Sequence, residues 1–125
     1  MTIERYRTTK RHSLVVVHAQ TVYLAGITAA DRSADVAGQT KQVLATIDSL
    51  LQTQQISRTE LLTAQVWLKD IERDFVTFNT LWEEWMPEGH APTRATVEAK
   101  MALPDVLIEI MVTAARKSRQ STAVA

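Results

Sequence analysis

Residues 106 to 113, VLIEIMVT, are apolar at both alternating sets of positions except for Glu109. A β-strand sends successive side chains to opposite faces, so a strand written this way must be covered on both sides. An ionised carboxylate in such a strand is costly unless a cation or several hydrogen bonds compensate it. Glu109 is therefore the first candidate for a functional residue, and the cover of the two faces is the first question about the fold.

The apolar period changes several times along the chain. Residues 13–26, SLVVVHAQTVYLAG, are β-branched and aromatic with Ala19 and Gln20 at the middle, which predicts two short strands meeting at a turn, after an edge strand near residues 3–7. From about Asp35 to Gln55, Val36, Val43, Leu44, Ile47, Leu50 and Leu51 fall at three- and four-residue steps, as on an amphipathic helix. SRTE at 57–60 has capping-box spacing for a short turn. LLTAQVWLKD then alternates as a strand with Leu62, Ala64, Val66 and Leu68 on one face. A second helix is predicted from about Asp74 to Trp85, with Phe75, Phe78, Trp82 and Trp85 along one stripe, stopping before Pro87 and Gly89. The stretch from Gly89 reads as two strands joined by a turn at Ala102-Leu103-Pro104-Asp105, a hairpin that pairs the Arg94 strand with the Glu109 strand. One domain over residues 1–115 and a polar, frayed tail over 116–125 are expected.

This order of elements predicts an α+β fold, a mixed sheet of about six strands with both helices on one face. Val15, Val17, Val22, Leu24, Ala64, Val66, Leu68, Ala95, Val97, Ile108, Ile110 and Val112 make the helix-covered face. Leu14, Val16, Tyr23, Trp67, Leu107 and Met111 alternate onto the other, an apolar patch larger than soluble monomers carry, and a second copy of the chain is the economical cover. Arg94, Thr96, Glu98 and Glu109 are expected on this second face too. Two readings of Arg94 with Glu109 then stand: a structural ion pair at a subunit interface, or a small-molecule site where the guanidinium holds a carboxylate and Glu109 activates a water.

Composition narrows the alternatives. Fourteen basic and fourteen acidic residues give zero formal net charge, so no summed positive field draws the chain to nucleic acid or anionic lipid. There is no cysteine, hence no thiolate nucleophile and no Cys-ligated metal. His12, His18 and His90 lack metal-ligand spacing, so no metal and no cofactor are expected. Without an apolar N-terminal core or a membrane-length apolar run, a soluble, cytoplasmic protein with no membrane partner is expected.

GHAPTRATVEAKMALPDVLIEIMVTAA resembles the C-terminal signature of the RidA/YjgF family, the reactive intermediate deaminases. Its form is Pro-x-Arg, a strand with Val-Glu, then Pro-Asp-Val-x-Ile-Glu-Ile. TVYLAG, QTKQVLATIDSLL and VWLKDIERDFVTFNTLWEEW resemble the family's strand ending in glycine, its first helix and its second strand-helix unit, so the likeness covers about residues 12–115. It implies a chorismate-mutase-like fold, a homotrimer with clefts between subunits, and cofactor-free hydrolysis of enamines and imines of 2-keto acids, such as 2-aminoacrylate or 2-iminobutanoate, to the keto acid and ammonia. On that resemblance Arg94 clamps the substrate carboxylate and Glu109 orients the water or moves a proton. Backbone groups near Gly26 and the Thr96 strand hold the imine end, and Asn79 lines the cleft.

This chain departs from the family pattern in two places. Thr96 stands where many members have cysteine, and His12 or a neighbour falls where many have tyrosine, which leaves the preferred substrate open. RHS, WLKD and EGHAP resemble a YoaB-like branch. Trp67, Trp82 and Trp85 read as core or interface anchors. Two other activities compete with deamination: a non-catalytic trimer that binds small carboxylates, and the ribonuclease or translation-inhibitor role attached to some relatives. Glu109 would repel the ligand of the first, and the second lacks a positive footprint.

Overall fold

The computed structural model describes residues 2–117; most of the expected tail, from 118 on, lies outside the described residues. Six strands and two helices follow in the order β1 (Ile3–Thr8), β2 (Ser13–His18), β3 (Thr21–Leu24), α1 (Val36–Thr53), β4 (Leu61–Leu68), α2 (Ile71–Trp85), β5 (Thr93–Glu98) and β6 (Ile108–Ala115). The strands form one mixed sheet in the order β1-β2-β3-β6-β4-β5, in which only β4 and β5 run parallel. Both helices pack on each other and on one face of the sheet, as the apolar periods require.

Local chemistry sets the ends of the elements. The turn between β2 and β3 places Ala19 at φ 56°, in the left-handed region that tight turns use. Asp35 caps α1 by accepting from the Gly38 N–H, and Asp70 caps α2 by accepting from the Arg73 N–H. That second cap starts α2 at Ile71, three residues earlier than its apolar stripe suggests, and it changes the stripe. Asp74, Phe78, Trp82 and Trp85 are buried, whereas Phe75 is exposed. Ser57 and Glu60 form the expected capping box around a single 3-10 turn.

In β4 the pairing with β6 shifts between Leu61 and Thr63. The extra residue of this bulge turns Leu61 into the core and leaves Leu62 outside, 44% exposed, against the alternation expected for it. Beyond the bulge, Ala64, Val66 and Leu68 join Val15, Val17, Val22, Leu24, Ile108, Ile110 and Val112 in one core with Ile47, Leu51 and Phe78 from the helices.

The largest correction concerns the last two strands. β5 and β6 do not pair; β4 lies between them, parallel to β5 and antiparallel to β6. The connection over residues 99–107 therefore passes from one side of β4 to the other. The turn at Ala102–Asp105 is part of this connection, and Gln39 of α1 anchors it. Fully buried, Gln39 donates through Nε2 to the carbonyls of Arg32, Ala34 and Asp105 at 2.9–3.3 Å and accepts from the Leu107 N–H at 3.0 Å. Arg32 pairs with Asp105 at 2.8 Å across the same seam.

Replacing Gln39 by Leu keeps its volume but strips four backbone groups of their partner, each buried group left unpaired costing about 1–3 kcal/mol. We expect denaturant unfolding of Gln39→Leu to show a loss of roughly 2–4 kcal/mol, water re-satisfying part of the set. An unchanged midpoint would remove Gln39 as the anchor of this connection.

Candidate active site

β4 between β5 and β6 decides where the two expected site residues go. Arg94 pairs with Ala64, and Glu109 pairs with Trp67. Ala64 is buried on the helix face, so Arg94, Thr96 and Glu98 of β5 lie on that face and not on the second one. Ala95 and Val97, expected in the core, instead face away from the helices, with Val97 44% exposed. Glu109 alternates with buried Ile108 and Ile110 and lies on the second face as expected, opposite Trp67, with Met111 next along that face and Tyr23 beyond it, opposite Thr113. Within one chain the two residues are therefore about 10 Å apart across the strands and about 10 Å apart along them, and they point to opposite faces.

Arg94 is held by α2. Its Nη2 donates to Asn79 Oδ1 at 2.9 Å, and its guanidinium carbon lies 5.2 Å from the Phe78 ring centroid and 5.5 Å from that of Trp82, within cation–π range. Trp82 is four residues after Phe78 and three after Asn79, so it neighbours both on the helix surface. Burial pulls the guanidinium below its ordinary pKa, and the Glu83 carboxylate opposes that shift; an arginine so placed still carries its charge at neutral pH. Among the described residues it makes no ion pair. The structural pair of Arg94 with Glu109 does not form within one chain.

Thr96 lies two residues further along the same side of β5, and its Oγ1 is buried with no hydrogen-bond partner among the described residues. Glu98, at the end of that row, accepts from the Ile71 N–H at 3.1 Å, so β5 is fastened to α2 at both ends.

Glu109 has a different neighbour. A Cβ built on Gly26 would lie 2.1 Å from Glu109 Oε2 and 3.1 Å from its Cδ, so the carboxylate occupies the space that any other residue at 26 would fill. The close approach follows from the bridge between Ile27 and Ile110, which brings the chain after β3 alongside β6. The Ala25 N–H donates to the Leu14 carbonyl, so the β2–β3 register continues to Ser13 opposite Gly26. His12 is the next residue, exposed in the β1–β2 connection.

The expected residues thus fall into two half-sites: Arg94, Asn79 and Thr96 under α2, and Glu109 with Gly26, flanked by His12, on the second face. Phe78 and Trp82 were not expected at the site. Their spacing around Asn79 was legible, but an aromatic stripe on a helix reads as core until the strand facing it is known. Arg94 borders a surface concavity of about 440 Å³ together with Tyr23, Gln65, Met111 and Thr113, and Glu109 does not line it. Among the described residues there is no group of three or more His, Asp or Glu that could hold a metal, and no helix is long and apolar enough to cross a membrane.

A mixed six-stranded sheet with two helices on one face defines a small α+β protein in which an arginine held by α2 and a carboxylate seated over glycine stand on opposite faces. The chain belongs to the RidA/YjgF family: the model of that family, described as endoribonuclease L-PSP, matches residues 2–116. The RutC family protein YoaB of Escherichia coli is 38% identical over 115 residues, covering 92% of this chain and 99% of that one. The 3-aminoacrylate deaminase RutC of Acinetobacter baylyi is 34% identical over 95 residues, covering 71% and 74%. Among solved structures, a Pseudomonas aeruginosa protein is 40% identical with a TM-score of 0.89, covering 93% of this chain and all of that one. A member of the YjgF protein family from Neisseria meningitidis is 33% identical with a TM-score of 0.88, covering 94% and 98%.

Gly26→Ala tests the seat of the carboxylate. The clash falls on the end of a flexible side chain, so stability should change by no more than about 1 kcal/mol. A crystal structure of the variant should show Glu109 in a different rotamer over an unchanged backbone. A carboxylate that stays in place would contradict the packing described here.

Proposed function

We propose that the protein is an enamine and imine deaminase that hydrolyses intermediates of the 2-aminoacrylate or 2-iminobutanoate type to 2-keto acids and ammonia. The observation that carries this reading is the pair of half-sites: an oriented guanidinium that makes no ion pair among the described residues, and a carboxylate packed against glycine backbone on the face away from the helices. A guanidinium fork matches a substrate carboxylate, and a nearby carboxylate that is not consumed by that fork is free to move protons. The name of the Acinetobacter relative, a 3-aminoacrylate deaminase, points to the same class of substrate.

The two halves face opposite sides of one sheet, so one copy supplies Arg94 and Thr96 and a neighbouring copy supplies Glu109, Gly26 and His12. A homotrimer with three clefts provides this arrangement and also covers Tyr23, Trp67 and Met111 on the second face. In the reaction the enamine first takes a proton at carbon and gives one up from nitrogen to become the imine. Glu109 accepts a proton from water as the oxygen bonds to the imine carbon, and the C=N electron pair moves to nitrogen, which is protonated. Collapse of the carbinolamine breaks the C–N bond and releases ammonia and the keto acid. Arg94 holds the carboxylate throughout, and no cofactor or metal is needed. Nuclease activity has less support, because the chain has zero net charge and no basic footprint for phosphates.

In an assay where a pyridoxal-phosphate dehydratase generates 2-aminoacrylate, Glu109→Gln should lower turnover by about 10²- to 10⁴-fold while keto-acid binding persists. Arg94→Lys should raise KM by about tenfold or more, since it keeps the charge but loses the fork. Both variants should sediment as trimers. Wild-type turnover in both would overturn the assignment of these residues.

A further inference from the structure

We infer that Asn79 and Trp82 are positioning residues for Arg94, which they hold edge-on to the substrate carboxylate without touching the substrate themselves. The inference rests on the carboxylate-clamp reading of Arg94 given above. Arginine side chains have four rotatable bonds, and a guanidinium on an edge strand loses much of its value as a fork if its plane wanders. Here the plane is constrained from two directions. The Phe78 and Trp82 rings lie 5.2 and 5.5 Å from the guanidinium carbon, and Asn79 Oδ1 takes one Nη2 hydrogen at 2.9 Å.

Asn79 accepts through a neutral oxygen. It orients the group without neutralising it, so the charge stays available to an anion. An aspartate in its place would orient equally well but compete with the ligand. All three residues come from one stretch of α2, whose Trp82 packs between Phe78 and Trp85 in tilted ring contacts at centroid distances of 5.9 and 5.4 Å. The cradle therefore belongs to a rigid helix and stands before ligand arrives.

The test is 2-oxobutanoate binding by calorimetry, with melting temperature and sedimentation on the same samples. Asn79→Leu, which removes the acceptor at similar size, should weaken binding about tenfold or more, as expected for a lost charge-assisted hydrogen bond. Asn79→Asp, which restores the acceptor but adds a charge, should weaken it at least as much. Turnover at saturating substrate should fall less than two- to threefold in both, because Glu109 is untouched. In an Arg94→Lys background, Asn79→Leu should cost little more, the non-additivity expected of residues acting through one group.

If Asn79→Leu folds poorly, Trp82→Phe gives the second reading: a weaker cation–π partner should raise the dissociation constant two- to fivefold in the Arg94 protein and leave the Arg94→Lys protein unchanged. Equal binding by wild type and Asn79→Leu, tight binding by Asn79→Asp, or full additivity with Arg94→Lys overturns the inference while the clamp reading stands. A wild type that does not bind 2-oxobutanoate overturns the clamp reading and the inference with it.

Discussion

The two ladders of β4 determine what the rest of the molecule can do. Paired in parallel with β5 and antiparallel with β6, β4 sets the register of both neighbours. Because side chains alternate with a period of two, register also assigns faces. Ala64 on the helix face carries Arg94 to α2, and Trp67 on the other face carries Glu109 away from it. A one-residue slip in either ladder would exchange these placements, and buried Val66 and Leu68 make such a slip expensive. The bulge at Leu62 lies before the positions that matter, so it ends the ladder's irregularity without disturbing them.

From that register follows a division of labour between the faces. The helix face is a packed core, and its edge holds one cation whose orientation is set by a hydrogen bond and two rings. The second face carries a carboxylate, a glycine that leaves room for it, and partly exposed Tyr23, Trp67 and Met111. Neither face alone holds both Arg94 and Glu109. Under the proposed function, the apolar surface that a second copy would cover is also the surface that carries Glu109, so assembly and chemistry would place one demand on the chain.

Much of this was legible in the residues. The β2–β3 turn, α1, the capping box at Ser57 and the doubly apolar β6 all follow from local pattern, and Glu109 stood out because a carboxylate in that pattern is expensive. The faces of β5 were not legible. In TRATVE, apolar Ala95 and Val97 look like the core set and Arg94 and Thr96 like the outer one. Hydrophobicity has no way to show that a guanidinium can be half-buried against two aromatic rings and an amide. Phe75 misled for a related reason: the Asp70 cap moves the start of α2 and puts Asp74, four residues before Phe78, on the buried side. Leu62 was displaced by a bulge, which leaves no local signature. Proximity in sequence suggested that the last two strands pair, but a strand placed earlier in the chain had already taken the position between them.

The central claim is that Arg94 of one copy works with Glu109 of another. It is tested most directly by refolding an equimolar mixture of Arg94→Ala and Glu109→Gln chains, each inactive alone, and measuring deamination. If every site draws its two residues from different copies, half of the clamps and half of the carboxylates are intact. Random assembly then gives about one quarter of the wild-type rate, half multiplied by half. If instead one chain supplied both residues, no mixture would contain an intact site. The refolded mixture would stay as inactive as its parents, and that result would contradict the account.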